Sequence, residues 1–170
     1  MTSKATVISE IMDDIRRVFQ AVNDQSKKAE RETGMTGPQL WAMKIIGDLS
    51  PVRVSDLAKR MYLNPSTVVG ILDRLEARGF VQRLRSQEDR RVVKVELTDT
   101  GQELLIKAPE VASGLLVAGL EVLPHKNLQH IAAALENLVS ILGAQELPPY
   151  LILSTEINVP RRQRRIIGAD

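Results

Sequence analysis

Val54-Ser55-Asp56-Leu57-Ala58-Lys59-Arg60-Met61, followed after a break at Tyr62-Leu63 by Asn64-Pro65-Ser66-Thr67-Val68-Val69-Gly70-Ile71-Leu72-Asp73-Arg74-Leu75, is the stretch on which the fold turns. Val54, Leu57, Ala58 and Met61 recur at three-and-four spacing and predict a short helix with one buried face. Asn64-Pro65 predicts a new helix start, because Asn64 can accept from exposed backbone N–H groups and Pro65 stands where no intrahelical donor is needed. In this second helix Val68, Ile71, Leu72 and Leu75 form the core face. Ser66, Thr67, Val69, Gly70, Asp73, Arg74, Ala77 and Arg78 are expected on or near the outer face. Gly79 supplies the permissive backbone of a helix end. A short helix, a tight turn and a helix opening on small hydroxyl residues suit insertion of the second helix into a major groove.

Downstream, Phe80–Arg85 and Val92–Leu97 read as two strands, the second alternating and rich in β-branched residues. The polar stretch Ser86–Arg91 between them makes a hairpin tip, or wing. Its arginines, Arg90 and Arg91, suit a narrow minor groove, and Asp89 suits holding one guanidinium in an aimed rotamer. Charge gathers on the same segment: residues 53–94 hold ten Lys/Arg against five acids, whereas residues 95–146 hold two against seven. By charge alone, a solvated surface and a phosphate-binding one are equal readings. Combined with helix, turn, helix and wing, the charge points to duplex DNA.

Working outward, Val7, Ile8, Ile11, Met12, Ile15, Val18, Phe19 and Val22 form an apolar stripe of helical period within residues 5–32. A further helix is expected from Thr36-Gly37-Pro38 to Ser50-Pro51, carrying Leu40, Trp41, Met43, Ile45, Ile46 and Leu49. Thr98 is expected to cap a helix from about Asp99 towards Leu123, bent at Pro109. Pro124 opens the last helix, with Leu128, Ile131, Leu135, Leu138, Val139 and Leu142 on one side. The fold class expected is therefore mainly α with a small β-wing: a winged helix-turn-helix. Its parts are an N-terminal dimerisation helix (1–34), the DNA-binding domain (35–98), C-terminal dimerisation helices (99–146) and an extension (147–170). The stripes at the two ends exceed what the central module can cover. Homodimer pairing through them would set two recognition helices about one duplex turn apart; a monomeric bundle is the competing reading.

The chain has 170 residues, 44% of them apolar and only 3% aromatic, with no cysteine. Disulfides, thiol redox sensing, iron–sulfur clusters and cysteine-zinc sites are thereby excluded. His125 and His130 lie five apart, which is not the spacing of a shared metal face. No metal, no cofactor and no enzymatic constellation is expected. No apolar run of 18 residues or charged-then-apolar leader is present, so a cytoplasmic protein without membrane partners is expected.

Several segments together resemble the multiple-antibiotic-resistance regulator (MarR) family. They are Ser55–Arg60, Asn64–Val68, Leu72-Asp73-Arg74-Leu75-Glu76 through Val81, Asp89-Arg90-Arg91 and Leu97-Thr98-Asp99-Thr100-Gly101. The likeness covers residues 5–143 in order of elements. It implies a homodimeric winged helix-turn-helix regulator of a palindromic operator, often a repressor released by small phenolic or lipophilic acids. It also implies roles: Pro65, Ser66 and Thr67 entering the groove, Arg74 and Arg78 on the phosphate side, and Arg90 and Arg91 at the wing, with Arg91 held by Asp89. Asn64, Val69, Gly70 and Arg85 complete the expected DNA-binding set. Where many members carry a hydroxyl and then a long polar or basic side chain, this chain has Val69 and Gly70, so readout would lean on a thymine methyl and close backbone approach.

Effectors of the family lodge between the dimer helices and the reading module, which makes Met35, Leu40, Trp41 and Met43 candidates, with Arg16 or Arg17 as carboxylate partners. The tail departs from the family. Leu147-Pro148-Pro149-Tyr150 reads as a linker, and Arg161-Arg162-Gln163-Arg164-Arg165 reads either as a DNA-touching arm or as a solubilising disordered tail. The rival to a DNA regulator is a winged protein-interaction module, or antirepressor, that lacks operator recognition.

Overall fold

In a computed structural model the described residues are 3–85, 92–152, 154 and 158, with Arg85 described by its backbone alone. Helix α1 (Lys4–Thr33) starts where the Ser3 hydroxyl accepts from the Thr6 N–H and stops at Gly34, whose φ of 66° closes the helix in the left-handed region. Helix α2 (Gly37–Leu49) comes at once, its entry fixed by Gln39, whose side chain accepts from the Thr36 N–H at 3.2 Å. The order then runs β1 (Val52–Arg53), α3 (Val54–Arg60), α4 (Pro65–Ala77), β2 (Val81–Arg85), β3 (Val93–Leu97), α5 (Asp99–Ile106), α6 (Ala112–Glu121) and α7 (His125–Ile141). No helix among the described residues is long and apolar enough to cross a membrane.

The core lies under α4. Leu40, Met43 and Ile46 of α2, Leu57 of α3, and Val68, Ile71, Leu72 and Leu75 of α4 are all fully buried, so the four-residue stripe of α4 seats it on α2 and α3. The antiparallel sheet has order β1-β3-β2, with Val52 opposite Val95 and Val81 opposite Leu97, and these four side chains line its buried side. The expected hairpin is present. Strand β1, which was not expected, has two residues and is the third strand of the sheet, paired to β3.

One expected element divides in two. The helix anticipated from Asp99 to Leu123 with a bend at Pro109 is broken instead, since α5 ends at Ile106 and α6 begins at Ala112. Pro109 lacks a donor and its ring disfavours helical backbone in the residue before it. The chain uses the break to bury Val111, whose backbone is extended, and to place Glu110 2.9 Å from the Lys44 ammonium on α2.

The terminal helices are left bare. Most of the α1 stripe is open, Phe19 being 73% exposed, and α7 has no buried residue, with Leu135 at 56%. After Gly143, where φ is again positive, the chain does not simply lead away. Leu151 packs on the core and the Asn158 N–H donates to the Pro149 carbonyl at 2.9 Å.

The Leu-Thr-x-x-Gly run has a packing reason. The Thr98 hydroxyl accepts from the Gly101 N–H and donates to the Gly79 carbonyl, drawing α5 so close to the wing that a Cβ on Gly101 would overlap the Phe80 carbonyl. Gly101→Ala is expected to destabilise the protein by roughly 1–3 kcal/mol, the cost of over-packing where backbone must move. Urea unfolding with an unchanged midpoint would show that the contact relaxes freely.

Candidate nucleic-acid interface

Helix α4 is the centre of the candidate surface because burial of one side dictates what the other side offers. Asn64 has extended backbone (φ −67°, ψ 141°) and Pro65 is the first helical residue, as the spacing predicts. Pro65, Ser66, Val69, Asp73 and Arg74 are exposed, and Gly70 lies among them with nothing within 4 Å of where a Cβ would stand.

Three expected contacts are placed differently. Thr67 is buried at 8%, because it lies one helical turn before Ile71 and belongs to the inner stripe, not to the outer face. Asn64 starts the helix without a side-chain capping hydrogen bond. Its Nδ2 and backbone N–H both donate to Oδ1 of Asn158, at 3.2 and 2.9 Å. Arg78 donates to the Gly34 carbonyl (2.8 Å) and the Met35 sulfur (2.7 Å) while its guanidinium lies 5.1 Å from the Phe80 ring centre. It ties the end of α4 to the α1–α2 junction while remaining exposed.

Arg83 is the residue whose role the sequence did not disclose. From β2 it donates to Asp73 at 2.6 Å, to Glu76 and to the Val69 carbonyl, so one guanidinium bridges the hairpin to two turns of α4. The bridge also offsets one of the two negative charges of Asp73 and Glu76, carboxylates that would otherwise repel phosphate beside the helix more strongly. Alternation along β2 and the acids three apart on α4 carried the signal, but their pairing depends on how the hairpin folds back. Beside the bridge, Arg53, Val54, Ser55, Val69, Asp73, Arg83, Val92 and Val93 line an open cleft of about 540 Å³. Arg53, one of these, lies opposite Lys94 across β1 and β3. Asp89, Arg90, Arg91 and the Arg85 side chain lie outside the described residues.

A MarR family model matches residues 35–93, the span from the start of α2 into β3. The HTH-type transcriptional repressor MdtR of Bacillus subtilis is 32% identical over 114 residues, covering 67% of this chain and 72% of that protein. The chain belongs to the MarR family. Among solved structures, a MepR-like protein complexed with pseudoligands is 28% identical at a TM-score of 0.54, covering 82% of this chain and 99% of that one. Streptococcus pneumoniae FabT, solved in complex with DNA, shares the fold at a TM-score of 0.52 and 21% identity, over 80% of this chain and 97% of its own. The MarR family consists of DNA-binding transcriptional regulators, not enzymes, and the fold here is its winged helix-turn-helix.

The expected effector residues of this MarR-family chain do not converge. Met35, Leu40 and Met43 are sealed in the core, and Arg16 and Arg17 lie on the open side of α1, paired with Asp13 (2.6 Å) and Asp14 (3.0 Å). Trp41 does border a cavity of about 340 Å³, shared with Lys44, Ile45, Leu105, Glu110, Gly114 and Leu115. A second, mainly apolar cavity of similar size is lined by Tyr62, Val117, Leu120, Glu121 and Leu128, where the α3–α4 turn meets the C-terminal helices.

Tyr62 joins those two parts. Its backbone has positive φ (53°) and its hydroxyl donates to Glu121 at 2.9 Å. The hydrogen bond to Glu121, reinforced by that carboxylate's charge, raises the phenol above its usual titration range. The folded-state value being raised, the latch is complete below the ordinary phenol range and is lost as pH rises through the higher value. In a Tyr150→Phe background, ultraviolet titration should find Tyr62 ionising above a free phenol, and Glu121→Gln should bring it down. Identical titrations in the two proteins would remove the latch.

Gly70 offers a sharper check of the groove-facing side. Gly70→Ala should stabilise α4 by about 0.5–1 kcal/mol, since nothing crowds the new methyl. Operator affinity should nonetheless fall several-fold if the helix backbone approaches the bases there. A stabilised variant with full affinity would place Gly70 outside the contact.

Proposed function

We propose that this chain is a homodimeric repressor that grips a palindromic operator through the outer face of α4 and the hairpin, and releases it on binding a small aromatic or lipophilic acid. The observation that carries the reading is the division of α4. Its apolar stripe is sunk in the core, while Ser66, Val69, Gly70 and Arg74 stand on the opposite side beside a cationic cleft. Val69 and Gly70 would supply a methyl contact and close approach, Arg74 a phosphate contact, and Arg90 and Arg91 minor-groove cations from the tip.

Pairing is supported by what the single chain leaves uncovered. Large apolar side chains stand exposed along α1 and α7, including Ile8, Phe19 and Leu135, a surface of the kind that marks an interaction site. A two-fold dimer through them presents two α4 helices to one side of the duplex, which is why a palindrome is the matching target. Release results if the acid binds better to a dimer whose helices are wrongly spaced, and its effect is limited to that difference in affinity. The Trp41 cavity is the place where such a ligand would sit: Lys44 is the one cation among its described lining residues, set among Glu110 and Asp48, and would leave Glu110 for the ligand's carboxylate.

Sedimentation of Phe19→Glu/Leu135→Glu should give the monomer mass of 18.9 kDa with helix content intact, against twice that for the parent, and operator affinity should fall at least about 100-fold as half-sites lose their coupling. Arg91→Ala should weaken operator binding about tenfold with the dimer unchanged, the loss of one charge-assisted contact. A parent protein that sediments as a monomer and ignores DNA would overturn the proposal. Quenching of Trp41, the single tryptophan, by aromatic or fatty carboxylates tests the effector site; an unmoved spectrum across the panel would remove it.

A further inference from the structure

Asn158, from the extension after α7, is bonded to the residue that starts α4. Gly143 turns the chain out of α7, and Leu151 packs against the core. The Asn158 N–H donates to the Pro149 carbonyl at 2.9 Å, so Asn158 is held near that anchor. Its carboxamide meets Asn64, where Oδ1 accepts from the backbone N–H at 2.9 Å and from Nδ2 at 3.2 Å. The orientation follows from chemistry: a backbone N–H can only donate, so the atom facing it must be Oδ1 and not Nδ2.

Asn64 is the N-cap of α4, and the helix begins without a capping bond from its side chain. In a capping box the N-cap N–H is taken by a Glu or Gln three residues into the helix. Here that position is Thr67, a shorter side chain that is buried, and Asn158 supplies the acceptor from 94 residues away. The hold is passed on with little slack. A residue before proline is restricted to extended backbone, which Asn64 has (φ −67°, ψ 141°), and Pro65 is the first helical residue. Fixing Asn64 therefore fixes the first turn, where Ser66 is exposed, and through it Val69 and Gly70 on the same side.

We propose that Asn158 is a positioning residue for DNA recognition: it holds the N-cap of α4 and so sets how the helix is seated against base pairs. The proposal rests on the reading that α4 enters the groove. Asn158 acts through Asn64 and not by touching the duplex, so it governs sequence-specific binding and leaves phosphate contacts elsewhere on the surface as they are. It lies past residue 143, beyond the stretch that resembles the family, and is an addition to the winged fold. The basic cluster Arg161–Arg165 lies outside the described residues.

The test compares full-length parent with Asn158→Ala and Asn158→Asp. Fluorescence anisotropy is read over a range of salt on two duplexes, one selected by the parent protein from a random-sequence pool and one unselected. Asn158→Ala is expected to bind the selected duplex about three- to tenfold more weakly, the range given by loss of one or two hydrogen bonds. Its affinity and salt slope on the unselected duplex should match the parent's, since those come from phosphate contacts. Amide hydrogen exchange of the free proteins should find the Asn64 N–H faster in Asn158→Ala and protected in Asn158→Asp, whose carboxylate still accepts. An Asn158→Ala protein that loses equally on both duplexes, or matches the parent on both, overturns the positioning role while the groove reading stands. Tighter binding of the selected duplex also overturns it, by making Asn158 a cover over Asn64. Unchanged exchange at Asn64 overturns the clamp itself. A parent that selects no sequence from the pool removes the groove reading and the positioning role together.

Discussion

Helix α4 is gripped from two sides. On the inside Val68, Ile71, Leu72 and Leu75 are held in the core by α2 and α3; on the outside the Arg83 guanidinium reaches from β2 to Asp73, Glu76 and the Val69 carbonyl. The first grip fixes which side of the helix looks outward. The second fixes the hairpin relative to that side. Arg83 is three-quarters covered, so its charge pairs operate with less solvent screening than those of Arg16 and Arg17 on α1. If helix and hairpin address adjacent grooves as proposed, they need a constant mutual angle, and a planar guanidinium with several donors is suited to keep it.

The same economy runs through the rest of the molecule. Arg78 closes the far end of α4 against Gly34 and Phe80, Thr98 and Gly101 draw α5 onto the hairpin, and Asn158 holds the start of α4. These ties surround the reading helix with fixed points. By contrast, α1 and α7 are joined to little within the chain and keep their apolar sides open. The proposed pairing therefore places the adaptable contacts at the ends, and the Tyr62–Glu121 bond is a direct link by which a shift of α6 would be felt at the α3–α4 turn.

Much of this was legible in the residues. The helical stripes of α1, α2, α4 and α7, the Asn64-Pro65 start and the positive-φ stops at Gly34 and Gly79 depend on local periodicity and backbone sterics, which the chain states directly. Strand β1 was not, because two residues carry no period and become a strand only when β3 pairs with them. At Pro109 the local rule foresaw a disturbance, but tertiary burial of Val111 decided between bend and break. Thr67 was misplaced by weighing its hydroxyl over its spacing to Ile71. Arg78, Arg83 and Asn64 were legible only as polar residues on a surface, since their partners Gly34, Asp73 and Asn158 come from 44, 10 and 94 residues away. Long-range polar ties are chosen by geometry that no short window contains.

The claim that helix and hairpin act as one reading unit rests on the outer grip. Amide hydrogen exchange combined with operator affinity in Arg83→Met, which keeps the stem and removes the charge, tests it most directly. The account predicts faster exchange in β2 and β3 with α4 still protected, and an operator affinity at least tenfold lower. A variant whose hairpin exchanges freely yet binds the operator as tightly as the parent would contradict it.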